Sequence, residues 1–181
     1  MSSKVVITGF SLITSLGLDA KTNWTNLVAG KSGVKRITLF DPSDLQTQIA
    51  AEVPHEFEEL AHTYIKKRAY EQMTRVTRMC FVSAKNAVTH SGIDMEAIDK
   101  SRCAVILGVL STANTSAEVG TTSKNTVLKS MSNAMSAWIS LEYKLLGPNF
   151  TVASACSSSA YAIGLGSDMI RNGTVDMVIV G

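Results

Sequence analysis

Cysteine is scarce in this 181-residue chain: Cys80, Cys103 and Cys156 are the full set, and no two of them form a C-x-x-C pair. An odd number at such wide spacing argues against a disulfide framework and against a zinc knuckle, and it suits a reducing compartment. Long apolar runs are missing as well. No stretch reaches the ~18 residues that span a bilayer, and the opening MSSKVVITGF runs straight into a strand pattern with no apolar signal core. The expectation is a soluble, cytoplasmic protein with no membrane partner. Charge is thin, 18% of residues with a net of +2, too weak a field for a nucleic-acid partner. Set beside 45% hydrophobic residues, that thinness implies one interior-rich domain with part of its surface covered by another chain. Several catalytic signatures are absent too. There is no G-x-S-x-G nucleophile elbow, no G-x-G-x-x-G, no Walker A loop, and no H-E-x-x-H or other cluster of metal ligands. The string GLGSDM at 164–169 lacks the third glycine and reads as helix packing.

What is present alternates between strand and helix. Lys4 to Thr8 (KVVIT) is β-branched and apolar and predicts an opening strand, broken by Gly9. Asp19 predicts the N-cap of a helix that stops at Gly30, with Trp24, Leu27 and Val28 on one face. A turn-rich patch containing Asp41-Pro42 leads to a short strand around Ile49 to Val53. Residues 68 to 90 predict the clearest helix. Its stripe runs through Met73, Val76, Cys80, Ala84, Ala87 and Val88 and ends at Ser91-Gly92. Cys103 to Val109 (CAVILGV) predicts a strand buried on both faces. The polar stretch STANTSAEVGTTSKNT that comes next reads as a functional loop or a partner-covered surface. Asn133 to Leu146 predicts a helix stopped by Gly147-Pro148. Phe150 to Ala155 predicts a strand, Ser157 to Asn172 a helix with Gly173 past its end, and Val175 to Val180 another buried strand. Strands apolar on both faces, alternating with helices, imply an α/β fold with a mostly parallel sheet covered on both sides. The chain stops at Gly181, on the last residue of such a strand, and half of a larger unit is the expectation.

The chemistry concentrates in TVASACSSSAYAIG, residues 151 to 164. A strand that turns sharply into a helix presents the turn residue at the C-terminal edge of the sheet, where open α/β sheets hold their sites. Cys156 occupies that turn. The helix opens with Ser157, Ser158 and Ser159, whose backbone N–H groups lack intrahelical acceptors and, with the helix dipole, stabilise a thiolate. Ala160, Ala162, Gly164, Gly166 and Ser167 make the helix thin enough for a crowded centre. Cys80, on a helical stripe, and Cys103, in a buried strand, read as core. A cysteine nucleophile usually works with a histidine. His55 and His62 flank the acidic run EFEEL and His90 closes the long helix, so all three read as solvent-facing and none points to Cys156. The base is expected from outside this chain.

On these residues the sequence resembles the N-terminal half of a β-ketoacyl-acyl-carrier-protein synthase of the elongating, KAS II-like type, which serves fatty acid and type II polyketide synthesis. The resemblance runs nearly end to end. It is carried by VVITGFSLITSLG with WTNLVAGKSGV, by YKLLGPNFTVASACSSSAYAIG, and by IRNGTVDMVIVG. It implies a thiolase-like fold, with this chain as the N-terminal half (1–181) of a five-layered αβαβα architecture, usually dimeric. It implies that Cys156 is the nucleophile. The family's two histidines, its lysine and its glycine-rich loop would lie past Gly181, so a complementary C-terminal half is an implied partner and a homo- or heterodimer the implied assembly. It implies acyl carrier protein as the donor and no metal or free cofactor. Lys66, Lys67 and Arg68, with Arg75 and Arg78 beyond, are candidates for docking an acidic carrier. Met135, Trp138 and Ile139, with Met131, are candidates for lining an acyl tunnel near a dimer partner, as is the strand from Phe150 to Ala155 for the dimer itself. Two further readings are another thiolase-fold acyltransferase, such as a thiolase or a chalcone-synthase-like enzyme, and a non-catalytic chain-length subunit. The last is opposed by the intact cysteine turn.

Overall fold

A computed structural model describes residues 4–110 and 126–181. Helix α1 (Ala20–Val28) starts where Asp19 accepts a hydrogen bond from the Thr22 N–H. Two short strands, β1 (Lys35–Arg36) and β2 (Ile49–Ala50), pair antiparallel. Then come α2 (Phe57–Tyr64), α3 (Lys67–Tyr70), α4 (Arg75–Ser91) and a single 3-10 turn at Lys100–Arg102. After these stand β3 (Cys103–Gly108), α5 (Thr126–Ser130), α6 (Ala134–Tyr143), β4 (Asn149–Val152), α7 (Ser158–Arg171) and β5 (Met177–Val180). Strands β4, β3 and β5 form a parallel sheet in that spatial order. Apart from Thr126, the polar stretch at 111–126 lies outside the described residues.

Successive side chains of a strand face opposite ways, and β3 uses both directions. Cys103, Val105 and Leu107 join Ala84 of α4, Met135 and Ile139 of α6 and Leu145 in one buried cluster. The other face receives α7. A Cβ on Gly108 would stand 2.2 Å from the backbone of Ser158 and Ser159, so only glycine lets the first turn of α7 lie flush on the strand. A second cluster, Phe57, Ala61, Ile65, Met73, Phe81 and Val82, joins α2 to the N-terminal part of α4. Each fully buried Val, Ile or Phe in these clusters contributes about 1.5–3 kcal/mol. Among the described residues no helix is long and apolar enough to cross a membrane.

Three expectations need correction. Lys4 to Thr8 forms no strand: the segment pairs with no described residue and lies against the end of α4 and the flank of β5, across a cleft of about 150 Å³ lined by Val5 to Gly9, Val88 and Val178 to Val180. β-Branched sequence favours extended backbone, but a strand also needs a neighbour to pair with. The long helix from 68 is two helices. Thr74 caps a fresh start, its hydroxyl accepting from the Thr77 N–H, so Met73 precedes α4 instead of lying on its stripe. Helix α6 ends at Tyr143 because Lys144 turns left-handed with φ 56°, before the Gly147-Pro148 stop is reached. The unforeseen α2 has a readable pattern, since Phe57, Ala61 and Ile65 recur at four-residue spacing after Pro54.

Candidate active site

β4 and α7 are joined by five residues, Ala153 to Ser157, and Cys156 stands exposed among them. The turn is tight enough to force Ala155 to φ +48°, a left-handed conformation that costs an L-residue about 1–2 kcal/mol. Two serines bond across it, one in solvent and one buried. Ser157 donates both its N–H and its hydroxyl to the Ser154 carbonyl, at 3.1 and 2.7 Å. Ser158 does the same to the Ala155 carbonyl, its N–H at 3.2 Å and its hydroxyl at 2.7 Å. The Ser158 oxygen also accepts the Ser154 N–H at 2.7 Å. Ser157 is exposed, whereas Ser158 keeps only 3% of its surface and its hydroxyl sits 3.4 Å from the carbonyl of Val109, the residue just past β3. Cys156 thereby follows directly on two clamped carbonyls, those of Ser154 and Ala155, and stands two residues before Ser158, the first residue of a 14-residue helix.

The other two thiols are excluded by their surroundings. Burial pushes the Cys80 thiol up to about 11, and its sulfur lies 3.5 Å from the Met135 sulfur. Burial also raises Cys103, whose sulfur faces the Asp99 carbonyl at 3.1 Å. None of the three histidines is bonded to Cys156. His90 Nδ1 accepts the Phe10 N–H at 3.2 Å, His62 stacks on Tyr70 with centroids 3.9 Å apart, and His55 is exposed beside Glu52. Among the described residues no histidine hydrogen-bonds Cys156 and no group of three metal-ligating side chains is assembled.

The remaining candidates are distributed. Lys66, Lys67 and Arg68 are all exposed, at and within the first turn of α3. Arg75 and Arg78 do not join them as free charges. Arg75 Nε binds Glu58 at 2.8 Å, and Arg78 lies over the Tyr70 ring at 4.1 Å beside the same carboxylate. On α6, Met135 and Ile139 keep 3% and 1% of their surface and pack into the sheet-side cluster. Trp138 faces the other way and lines a groove of about 270 Å³ with Tyr64, Ile65, Lys66, Lys85 and Leu141. Met131 is exposed. Sequence reasoning missed the Ser158 clamp and the Gly108 contact. The signals were there: a serine run directly after the nucleophile, and one glycine in an otherwise branched strand.

Similarity to known proteins agrees with this geometry. The family described as "Beta-ketoacyl synthase, N-terminal domain" matches residues 2–181. The 3-oxoacyl-[acyl-carrier-protein] synthase 2 of Coxiella burnetii is 30% identical over 188 residues, covering 98% of this chain and 45% of that protein. The chloroplastic 3-oxoacyl-[acyl-carrier-protein] synthase II of Arabidopsis thaliana is 27% identical over 190 residues, covering 98% of this chain and 35% of its own length. The solved ishigamide ketosynthase/chain length factor superposes with a TM-score of 0.77 at 26% identity, over 94% of this chain and 44% of that one. The chain thus spans less than half the length of these relatives. With a matching family over nearly every residue and the thiolase-like α/β fold of the ketosynthases, the chain belongs to the beta-ketoacyl synthase N-terminal domain family.

Proposed function

We propose that this chain is the nucleophile-bearing half of a condensing acyltransferase that acts on carrier-bound acyl chains. The observation that carries the reading is the exposed Cys156, locked in a strained turn at the C-terminal edge of a parallel sheet and at the open end of α7. In the proposed cycle the Cys156 thiolate attacks the carbonyl of an acyl thioester. Backbone N–H groups of the turn, that of Cys156 among them, stabilise the tetrahedral oxyanion. The carrier's thiolate leaves and the acyl group remains on sulfur. A malonyl thioester then loses carbon dioxide, and its carbanion attacks the acyl-cysteine carbonyl and expels the Cys156 thiolate. The base and the groups that steady the enolate come from a complementary C-terminal half, since His90 and His62 are engaged elsewhere and His55 stands exposed with no hydrogen bond to Cys156. The names of the relatives support a carrier-protein substrate.

Lys66, Lys67 and Arg68 form the proposed landing for an acidic carrier, and Trp138 shares a groove with Lys66. Met135 and Ile139 back that wall from the core. The outer edge of β4 carries no strand among the described residues and is the proposed contact for a second copy or a sister subunit. The test is peptide-resolved mass spectrometry after mixing the chain and its complementary half with an acylated carrier. An acyl adduct on Cys156, lost in Cys156→Ala, is the expected result. A reconstituted condensing system that never carries an adduct there, or that forms product with Cys156→Ala, overturns the reading.

A further inference from the structure

We infer that Ser158 is a positioning residue for Cys156, and that its hydroxyl does this by holding Ala155 in the left-handed conformation. The argument starts from cost. A residue with a Cβ at φ +48° is strained and persists only when its surroundings over-determine it. Three bonds from one buried side chain and its own amide supply that determination. The Ser158 N–H and hydroxyl both hold the Ala155 carbonyl, and the Ser158 oxygen accepts the Ser154 N–H across the turn. The hydroxyl thus ties the backbone before Cys156 to the first turn of the helix after it. Because Ser158 is sealed beneath the turn, against the backbone next to Gly108, no water can take over its role. Ser157 makes a similar pair of bonds to the Ser154 carbonyl, but it does so in solvent. The clasp therefore rests on Ser158 alone. Its catalytic consequence rests on Cys156 being the acyl acceptor; its structural content does not.

The test is alkylation by iodoacetamide, read separately at each cysteine by mass spectrometry on the whole chain. Cys103, buried in the core, and Cys80, partly buried against it, report any general loosening. Ser158→Ala is expected to slow reaction at Cys156 about tenfold, by freeing the turn that fixes its position, with Cys80 and Cys103 still protected. Ala155→Gly adopts the same φ at no steric cost, so the double variant Ala155→Gly with Ser158→Ala is expected to recover most of the lost rate. An unchanged Cys156 rate in Ser158→Ala overturns the inference, and so does failure of the glycine to restore it. If Ser158→Ala alone does not fold, the double variant decides. A folded double variant with a near-native Cys156 rate supports the clasp, and an unfolded or slow one overturns it. None of these readings depends on a carrier or a complementary half, so a failed acylation experiment and a failed clasp remain distinguishable.

Discussion

Three single residues set the geometry of the nucleophile, and each acts by a different physical route. Ala155 stores strain, Ser158 opposes it, and Gly108 makes the room. With a Cβ placed 2.2 Å from the Ser158 carbonyl carbon and the Ser159 nitrogen, the obstruction at Gly108 is backbone, which cannot swing aside as a side chain would. Gly108→Ala should therefore lift the first turn of α7 off β3 and destabilise the chain by about 1–3 kcal/mol, visible as a lower urea midpoint. Cys156 would become less reactive in the same variant, because its turn is anchored to that helix. Ser157→Ala is the contrasting case. Its hydroxyl bonds the Ser154 carbonyl in solvent, and water replaces the lost donor. Stability should stay within about 0.5 kcal/mol of the parent, and alkylation at Cys156 should be unchanged. A drop at Ser157 equal to that at Ser158 would mean that burial is not what separates the two clamps.

At the scale of elements, α2, α3 and α4 are held together by one carboxylate. Glu58 of α2 accepts from Tyr70 of α3 and from Arg75 of α4, with Arg78 nearby. Burial pulls its carboxyl up, but the Tyr70 and Arg75 hydrogen bonds and the two guanidinium charges outweigh that and leave it below the ordinary 4.5. A carboxylate depressed by folding binds fewer protons in the folded state. Its stabilisation is complete above 4.5 and is lost as pH falls through the lower folded value. Urea midpoints taken between about pH 7 and about pH 3 should fall on the acid side for the parent. Glu58→Gln should start lower at neutral pH and fall less, so that the two curves converge. Parallel curves would remove Glu58 from the acid response. The same region shows where sequence was readable and where it was not. The Asp19 cap, the buried β3 and the β4–turn–α7 junction carry local signals strong enough to read directly, and the cysteine turn with them. The break between α3 and α4 was hidden, because an apolar stripe at helical spacing runs unbroken across Thr74, whose capping hydroxyl interrupts the helix without interrupting the pattern. The Arg75 and Arg78 partners were hidden for a different reason. Glu58 reaches them from 17 and 20 positions away, a pairing that no window of local spacing contains. The failure of Lys4 to Thr8 to pair is likewise set by what lies beside it, not by its own composition.

At the scale of the whole molecule, large apolar side chains stand exposed on several of the described elements. Trp24 keeps 67% of its surface, with Leu27 and Val28 exposed on the same helix. Ile7 keeps 81%, and Tyr161, Ile163 and Leu165 are open on α7. Contiguous exposed apolar patches mark interaction surfaces. Trp24 and Leu27 belong to one such patch, lining with Phe10, Leu12, Leu16 and His90 a groove of about 710 Å³. More than half of the length of the Coxiella burnetii enzyme lies outside its match to this chain, and the complementary half proposed above is the occupant to test at this groove. The two tryptophans turn that argument into a measurement. Trp24 is exposed and Trp138 is half-buried beside α4, so acrylamide should quench mainly Trp24 in the chain alone, and Trp24→Phe should remove most of the quenchable emission. Adding a complementary half should protect Trp24 and shift its emission to the blue as the groove closes. The Trp24→Phe variant, reporting Trp138 alone, should respond far less. If the complementary half restores condensation while Trp24 stays fully quenchable, the second half sits on a different face, and the exposed side of α1 belongs to some other partner.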